Sequence, residues 1–195
     1  SFFDIDSDLY GTPDSVDMFP TEPTQDTDTD GDGYGDNLSG LNGDAFPNDS
    51  TQHFDADGDG YGDNPLGNFS DAFPQNLYQW LDTDGDGYGD NVDALGGDSF
   101  PTESTQWNDS DSDGYGDNPQ GFQPDGCSEL NGFSTQDRFG CLDSDFDKYS
   151  DPTDGWTISD GADALPNEIS QWVDRDGDGY GENNTGVNPD SCPLI

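Results

Sequence analysis

Positive charge is nearly missing from this chain. Its 195 residues include 3 Lys and Arg against 45 Asp and Glu, a formal net charge of −42. Phosphate binding needs clustered Lys and Arg, so nucleic acid is excluded as a partner, and an anionic membrane surface is excluded for the same reason. Apolar residues are also scarce, at 27% of the chain with a mean hydropathy of −0.98; a globular domain draws close to half of its residues from that set. A single continuous core at ordinary density is therefore excluded. No apolar run approaches the roughly 18 residues that a membrane-spanning helix needs, so no membrane insertion is expected. No signal peptide is visible and the chain opens at Ser1, which suggests a mature product or an excised segment. There is one histidine, His53, and no Ser/His/Asp or Cys/His set can be assembled around it. Carboxylate pairs abound, but glycosidase-type chemistry needs an apolar pocket to raise the pKa of one of them. No enzyme is expected.

What the chain has is acid in register. An internal repeat reads D-x-D-x-D-G-Y-G-D/E-N, with its best copies starting at Asp28, Asp55, Asp82, Asp109 and Asp174 and weaker ones at Asp4 and Asp143. The period is 27 residues with insertions late in the chain, giving units over about 4–27, 28–54, 55–81, 82–108, 109–142, 143–173 and an incomplete 174–195. A second signature, D-A-F-P or a relative, follows each acidic core, as at Asp44 to Pro47 and Asp71 to Pro74. A glutamine then stands three residues before the next core, at Gln25, Gln52, Gln79, Gln106 and Gln171. Low hydrophobicity and high charge alone predict disorder, but disorder does not keep such a register. Each unit reads as a structural module that is too rich in Gly and Asp for regular helix or strand. The expected fold class is a turn-rich, mostly irregular tandem-repeat rod without a single hydrophobic core, stabilised by bound ions.

The spacing points to the ion. Carboxylates at positions 1, 3 and 5 of a tight loop aim at one centre, a Gly at position 6 permits the turn, and the carbonyl of position 7 faces inward. This is the first half of an EF-hand calcium loop, built for a hard, oxygen-seeking cation. Magnesium fits less well, because it demands near-ideal octahedral geometry. The bidentate Glu of an EF-hand at position 12 is missing; an Asp at position 17 recurs instead, as a late ligand. The candidate metal ligands are then Asp28, Asp30, Asp32, Tyr34, Asp36 and Asp44 in the first good copy, and Asp55, Asp57, Asp59, Tyr61, Asp63 and Asp71 in the next. Asp82, Asp84, Asp86, Tyr88, Asp90 and Asp98 follow, then Asp109, Asp111, Asp113, Tyr115, Asp117 and Asp125. The last good copy supplies Asp174, Asp176, Asp178, Tyr180, Glu182 and Asp190. The weaker copies contribute Asp4, Asp6, Asp8 and Asp17, and Asp143, Asp145, Asp147, Tyr149, Asp151 and Asp163. The tyrosines act through their backbone carbonyls.

These residues resemble the thrombospondin type 3 calcium repeat, most closely in the form found in microbial secreted and surface proteins. The resemblance runs from Asp4 to Pro193. It implies a calcium-threaded elongated array with more than one ion per repeat and the acids at positions 1, 3, 5 and 9 as ligands. Most copies carry Phe where those repeats carry Cys, so aromatic packing largely replaces disulfide stapling. Lys148 and Leu9 stand where Gly is expected at position 6, and those two sites are expected to bind more weakly or differently.

Three further features bear on setting. Cys127 and Cys141 lie within one insertion, which predicts a disulfide and an oxidising, extracellular location; Cys192 is left over, and its place in a longer super-repeat suggests a partner beyond the end of this chain. Glycosylation sequons occur at Asn37, Asn48, Asn68, Asn108 and Asn183. The aromatic residues are expected to form small apolar clusters between neighbouring units, rather than a row of exposed rings for carbohydrate. The expected function is that of a secreted calcium-binding structural repeat protein forming a stiff stalk, fibre or extracellular filament, with other copies of itself as end-to-end partners. The termini, Phe2 and Phe3 at one end and Cys192 to Ile195 at the other, each resemble half of a joint. A calcium-dependent adhesion or glycan-binding module, with surface or matrix glycans as partners, is the alternative, and a calcium reservoir or mineral-nucleating protein is a third reading.

Overall fold

The computed structural model describes residues 16–193. The first weak copy, Asp4, Asp6 and Asp8, and the terminal Phe2, Phe3, Leu194 and Ile195 lie outside the described residues. The chain divides into two compact units, Ser1–Gly97 and Asp98–Ile195. Among the described residues, regular structure amounts to one 3-10 turn, Ile158–Asp160, in the second unit, and a few isolated β-bridges. The fold is irregular and turn-rich, as the Gly and Asp content requires.

In the first unit the same closure recurs at each acidic loop. A parallel bridge joins positions 8 and 16, Gly35 with Gly43 and Gly62 with Ser70. The amide of the late aspartate then donates to the carbonyl of position 8, Asp44 to Gly35 and Asp71 to Gly62, both at 2.8 Å. The second unit repeats that bond from Asp125 to Gly116 at 2.9 Å, and at 2.8 Å from Asp163 to Ser150 and Asp190 to Gly181.

The buried interior is polar. Among the described residues only Cys141 and Ala162 are buried hydrophobics, whereas the glutamines Gln25, Gln52, Gln79, Gln106 and Gln171 are all buried. Leu66 and Leu95 are 92% exposed. The glutamines take the place of a core by hydrogen bonding into the loop that follows them. Gln52 Nε2 donates to the carbonyls of Asn64 and Asn68, both at 2.9 Å, and its Oε1 accepts the Asn64 amide at 2.9 Å. Gln106 and Gln171 do the same with Asn118 and Phe122, and with Asn183 and Val187. The asparagine at position 10 answers in kind: Asn64 Nδ2 donates to the Thr51 carbonyl at 2.8 Å. A side chain with two donors and one acceptor so engaged is stable in a buried site that would reject a half-satisfied one. The close fit requires glycine: a Cβ on Gly62 would lie 2.1 Å from the Gln52 side chain.

Most of the aromatic pairs lie within a unit, and one, Phe133 with Phe146 at 6.0 Å between centroids, joins 109–142 to 143–173 as expected. Tyr61 stacks on Trp80 in 55–81 and Tyr149 on Trp172 in 143–173, each at 5.3 Å between centroids; Tyr34 stacks on His53 in 28–54 at 3.8 Å. In the regular copies it is the glutamine that links a unit to the next.

The predicted disulfide is present between Cys127 and Cys141. Its insertion replaces the glutamine with other polar groups. Asp137 accepts the amide and hydroxyl of Ser150 and the indole N–H of Trp156, and the Arg138 guanidinium donates to Ser150 Oγ while lying 4.9 Å from the Trp156 ring centroid.

Removing one hub should therefore be as costly as emptying a hydrophobic core elsewhere. Gln52→Ala leaves three backbone groups of Asn64 and Asn68 without their partner and is expected to cost about 3 kcal/mol. Denaturant unfolding at fixed calcium measures it; a loss below about 1 kcal/mol would show that water replaces the hub freely.

Candidate metal centre

Each acidic loop orients its own carboxylates through the backbone. In the copy at Asp55, Asp55 Oδ1 accepts the Gly58 amide at 2.7 Å and Oδ2 the Gly60 amide at 3.0 Å. Asp57 Oδ1 accepts the Asp59 amide at 3.2 Å, and Asp59 Oδ1 the Tyr61 amide at 2.8 Å. Both glycines have left-handed backbone, φ 86° at Gly58 and 93° at Gly60, which presents their amides to Asp55. The same bonds recur at Asp28 and Asp82 in the first unit and at Asp174 in the second.

The consequence is convergence of the remaining oxygens. The triads Asp28/Asp30/Asp32, Asp55/Asp57/Asp59, Asp82/Asp84/Asp86, Asp109/Asp111/Asp113 and Asp143/Asp145/Asp147 each bring three ligand atoms within 4.8 Å of one another. One carboxylate oxygen of Asp57, Asp59, Asp84, Asp86 and Asp147 is buried with no hydrogen-bond donor. Like-charged oxygens so placed repel, and each group could hold a metal ion.

The late aspartate joins this cluster. Asp71 is 4% exposed; its Oδ1 accepts the Phe73 amide at 2.6 Å and its Oδ2 is buried without a donor. Burial raises its pKa above the ordinary 3.8, and the negative charges of Asp59, Asp57 and Asp63 raise it further, which places it beside them. Asp44 stands in the same relation to Asp32 and Asp30, Asp125 to Asp113 and Asp111, and Asp163 to Asp147 and Asp145. Burial is the largest cause in all of these. It carries Asp125 and Asp147 to about 6 and Asp163 to about 7. Asp17 makes the matching turn, its Oδ1 accepting the Phe19 amide at 2.6 Å. Asp98 and Asp190 do so toward Phe100 and Cys192.

Position 9 has a second duty. Asp63 Oδ1 accepts the Ala56 amide at 3.1 Å, and Asp36 and Asp90 accept both the amide and the hydroxyl of Thr29 and Thr83. Asp151 binds Ser144 in the same way, and Asp117 Oδ2 accepts from Asn108 and Ser110. Glu182 meets the Arg175 amide at 3.0 Å and its guanidinium at 2.8 Å. These acids close the loop onto position 2, and a carboxylate oxygen that accepts one such bond retains a lone pair for a cation. The recurrent glutamine, which carries no charge and attracts no metal argument, is the element of the site that sequence patterning leaves without a role.

The copy at Asp143 keeps the loop despite its substitutions. Phe146 and Lys148 adopt left-handed φ of 65° and 86°, and Lys148 N still donates to Asp143 Oδ2 at 2.8 Å. Lys148→Gly removes a left-handed L-residue and a fixed charge, and is expected to stabilise the loop by about 1 kcal/mol. A thermal melt at fixed calcium tests the direction; a lowered melting temperature would mean that the lysine charge outweighs the strain.

The pH dependence should change sign with metal. For the metal-free chain, Asp163 has its folded pKa raised from 3.8 to about 7, so the folded form holds more protons than the unfolded form in that interval. Its contribution is present below 3.8 and lost as pH rises through about 7. A cation on the same carboxylate depresses the folded pKa, so that stability is present at neutral pH and lost on acidification. Chelated protein is expected to regain structure on acidification from about pH 7.5 to about pH 4.5, read by near-ultraviolet circular dichroism, and calcium-loaded protein to melt lower at about pH 4.5, read by scanning calorimetry. The same slope in both states would remove the shared-carboxylate arrangement.

No described protein family matches the chain, and no curated protein does.

Proposed function

We propose that this is a secreted, non-enzymatic calcium-binding structural repeat protein of the thrombospondin type 3-like kind, serving as a stiff stalk, fibre or extracellular filament. One observation carries the metal reading: a buried late aspartate, one oxygen held by a backbone amide and the other without a donor, standing beside an acidic triad arranged in the same way. Oxygen-only donors, in number and with flexible loop geometry, suit calcium above magnesium. A late aspartate beside a full triad leaves room for more than one ion per repeat. The disulfide supports an oxidising, extracellular setting. Trp80 and Trp172 are half-buried, each with one face on a tyrosine, which supports a structural use of these rings over a glycan platform.

In such a protein calcium acts as the cross-link that an apolar core supplies elsewhere, and binding to the folded form alone stabilises it by mass action. Chelation at neutral pH is expected to abolish the near-ultraviolet circular dichroism of the Tyr–Trp pairs and expand the chain in small-angle scattering, with recovery on adding calcium. A chelated chain that keeps both signals would overturn the ion-stabilised reading. Electron microscopy in millimolar calcium tests the assembly separately: filaments of end-to-end copies are expected, and single particles at every calcium concentration would leave a calcium-binding repeat without the polymer.

A further inference from the structure

Five sequons stand in the sequence, and the structure treats their asparagines differently. Asn37 and Asn183 donate Nδ2 to the carbonyls of Thr24 and Ser170 at 2.9 and 2.8 Å, as part of the glutamine hub. Asn108 Nδ2 donates to Ser110 and Asp117, and Asn68 Nδ2 to Asp49 Oδ1 at 3.1 Å. A pyranose on any of these nitrogens would crowd the oxygen it now serves. Asn48 is exposed, and its side-chain amide has no hydrogen-bond partner.

Asn48 also opens onto a built surface. It lines a groove of about 610 Å³ within the first unit, together with Phe46, Pro47, Asp49, Asn68 and Phe69. That size lies in the range of small-ligand pockets, about 300–1,000 Å³. Phe69 is 77% exposed and holds a left-handed φ of 47°. The same left-handed backbone recurs at this repeat position in Asn42, Gln123 and Asn188, so it belongs to the loop closure and not to the groove. The groove offers two aromatic rings and the carboxylate of Asp49; Asp30 also borders it, with one oxygen buried and the other on the Asp32 amide. An anionic occupant would be repelled. A neutral polyol suits it, with C–H faces against the rings and hydroxyls donating to Asp49.

We infer that Asn48 carries an N-linked glycan whose first sugars lie in this groove against Phe46 and Phe69. The step is a substitution at the anomeric carbon of a polyprenyl-pyrophosphate-linked oligosaccharide, catalysed by a transferase of the secretory route. Asn48 Nδ2 forms the new N–C1 bond, the C1–O bond to phosphate breaks with its electron pair leaving on the lipid pyrophosphate, and the amide gives up one proton to the transferase. This inference goes beyond the calcium reading and shares with it only the extracellular route; calcium binding is measured separately, so either can fail alone.

The test is glycopeptide mass spectrometry, with electron-transfer fragmentation, on the chain recovered from its own source. A sugar mass is expected on Asn48, with Asn37 and Asn183 unmodified; bare Asn48, or equal occupancy at all five sequons, overturns the inference. Seating in the groove is read on Phe69→Ala and, should that variant misfold, on Phe69→Asn, whose residue type tolerates the left-handed backbone. Periodate oxidation of the Asn48 glycan is expected to quicken severalfold in either variant, with site occupancy unchanged. An unchanged rate would mean that the glycan stands clear of the groove.

Discussion

Like charge held at short range is the constraint on which everything else in this molecule depends. Two unit charges about 4 Å apart repel by about 4 kcal/mol at an effective dielectric constant near 20. The acidic loops starting at Asp28, Asp55, Asp82, Asp109 and Asp143 each place three ligand oxygens within 4.8 Å. With 27% apolar residues the chain has no core large enough to offset repulsion of that size in loop after loop. Two things can. Backbone amides turned inward take both oxygens of the first carboxylate and one of each of the next two, and a cation could take the others. The first is present in the fold itself, in the amides of Gly58, Gly60, Asp59 and Tyr61. The second is what the donorless oxygens of Asp57, Asp59 and Asp71 call for.

The same constraint explains why the interior is built from amide and carboxylate rather than from methyl groups. A buried glutamine contributes only if every polar atom of it is satisfied, and Gln52 meets that demand with partners 12 and 16 residues away. The late aspartate closes onto position 8 over a comparably short loop. Contacts of such short range cost little loop-closure entropy, so each repeat can order without waiting for distant partners. The exposed Leu66 and Leu95 follow from this economy: with the interior filled by polar side chains, the few apolar ones have nowhere to go.

The chemistry of the site was legible in the sequence, and most of its architecture was not. Aspartates at alternate positions followed by glycine state which oxygens converge, and the disulfide followed from two cysteines sharing one insertion. The recurrence of Gln25, Gln52, Gln79, Gln106 and Gln171 was equally plain, but nothing in a one-dimensional register says that an uncharged amide will be buried against glycines that lack a Cβ. That fact exists only once Gly62 and Gln52 are seen at contact. The ring pairs of the regular copies were misplaced for a related reason, while Phe133 and Phe146 do meet between units. Spacing shows that Tyr61 and Trp80 recur, but it does not say whether each ring turns toward its own unit or the next. Asp137 and Arg138 in the insertion have no repeat counterpart at all, so only the fold reveals that they stand in for a glutamine.

The scarce cations complete the argument. All three basic residues, Arg138, Lys148 and Arg175, fall in the later part of the chain, and each coincides with a departure from the repeat. Arg138 sits where the glutamine is replaced, its guanidinium half-shielded against Trp156 and bonded to Ser150. Lys148 occupies a left-handed position that glycine fills in the regular copies. Arg175 stands at position 2, where its guanidinium and amide together hold Glu182, the longer acid that replaces aspartate at position 9. An exposed ion pair of that kind adds little stability, about 0–1 kcal/mol, so its value lies in holding the longer side chain on the loop. Of the three, Arg175 is the one whose charge is ion-paired with a loop acid among the described residues, so the Asp174 loop carries part of its own neutralisation.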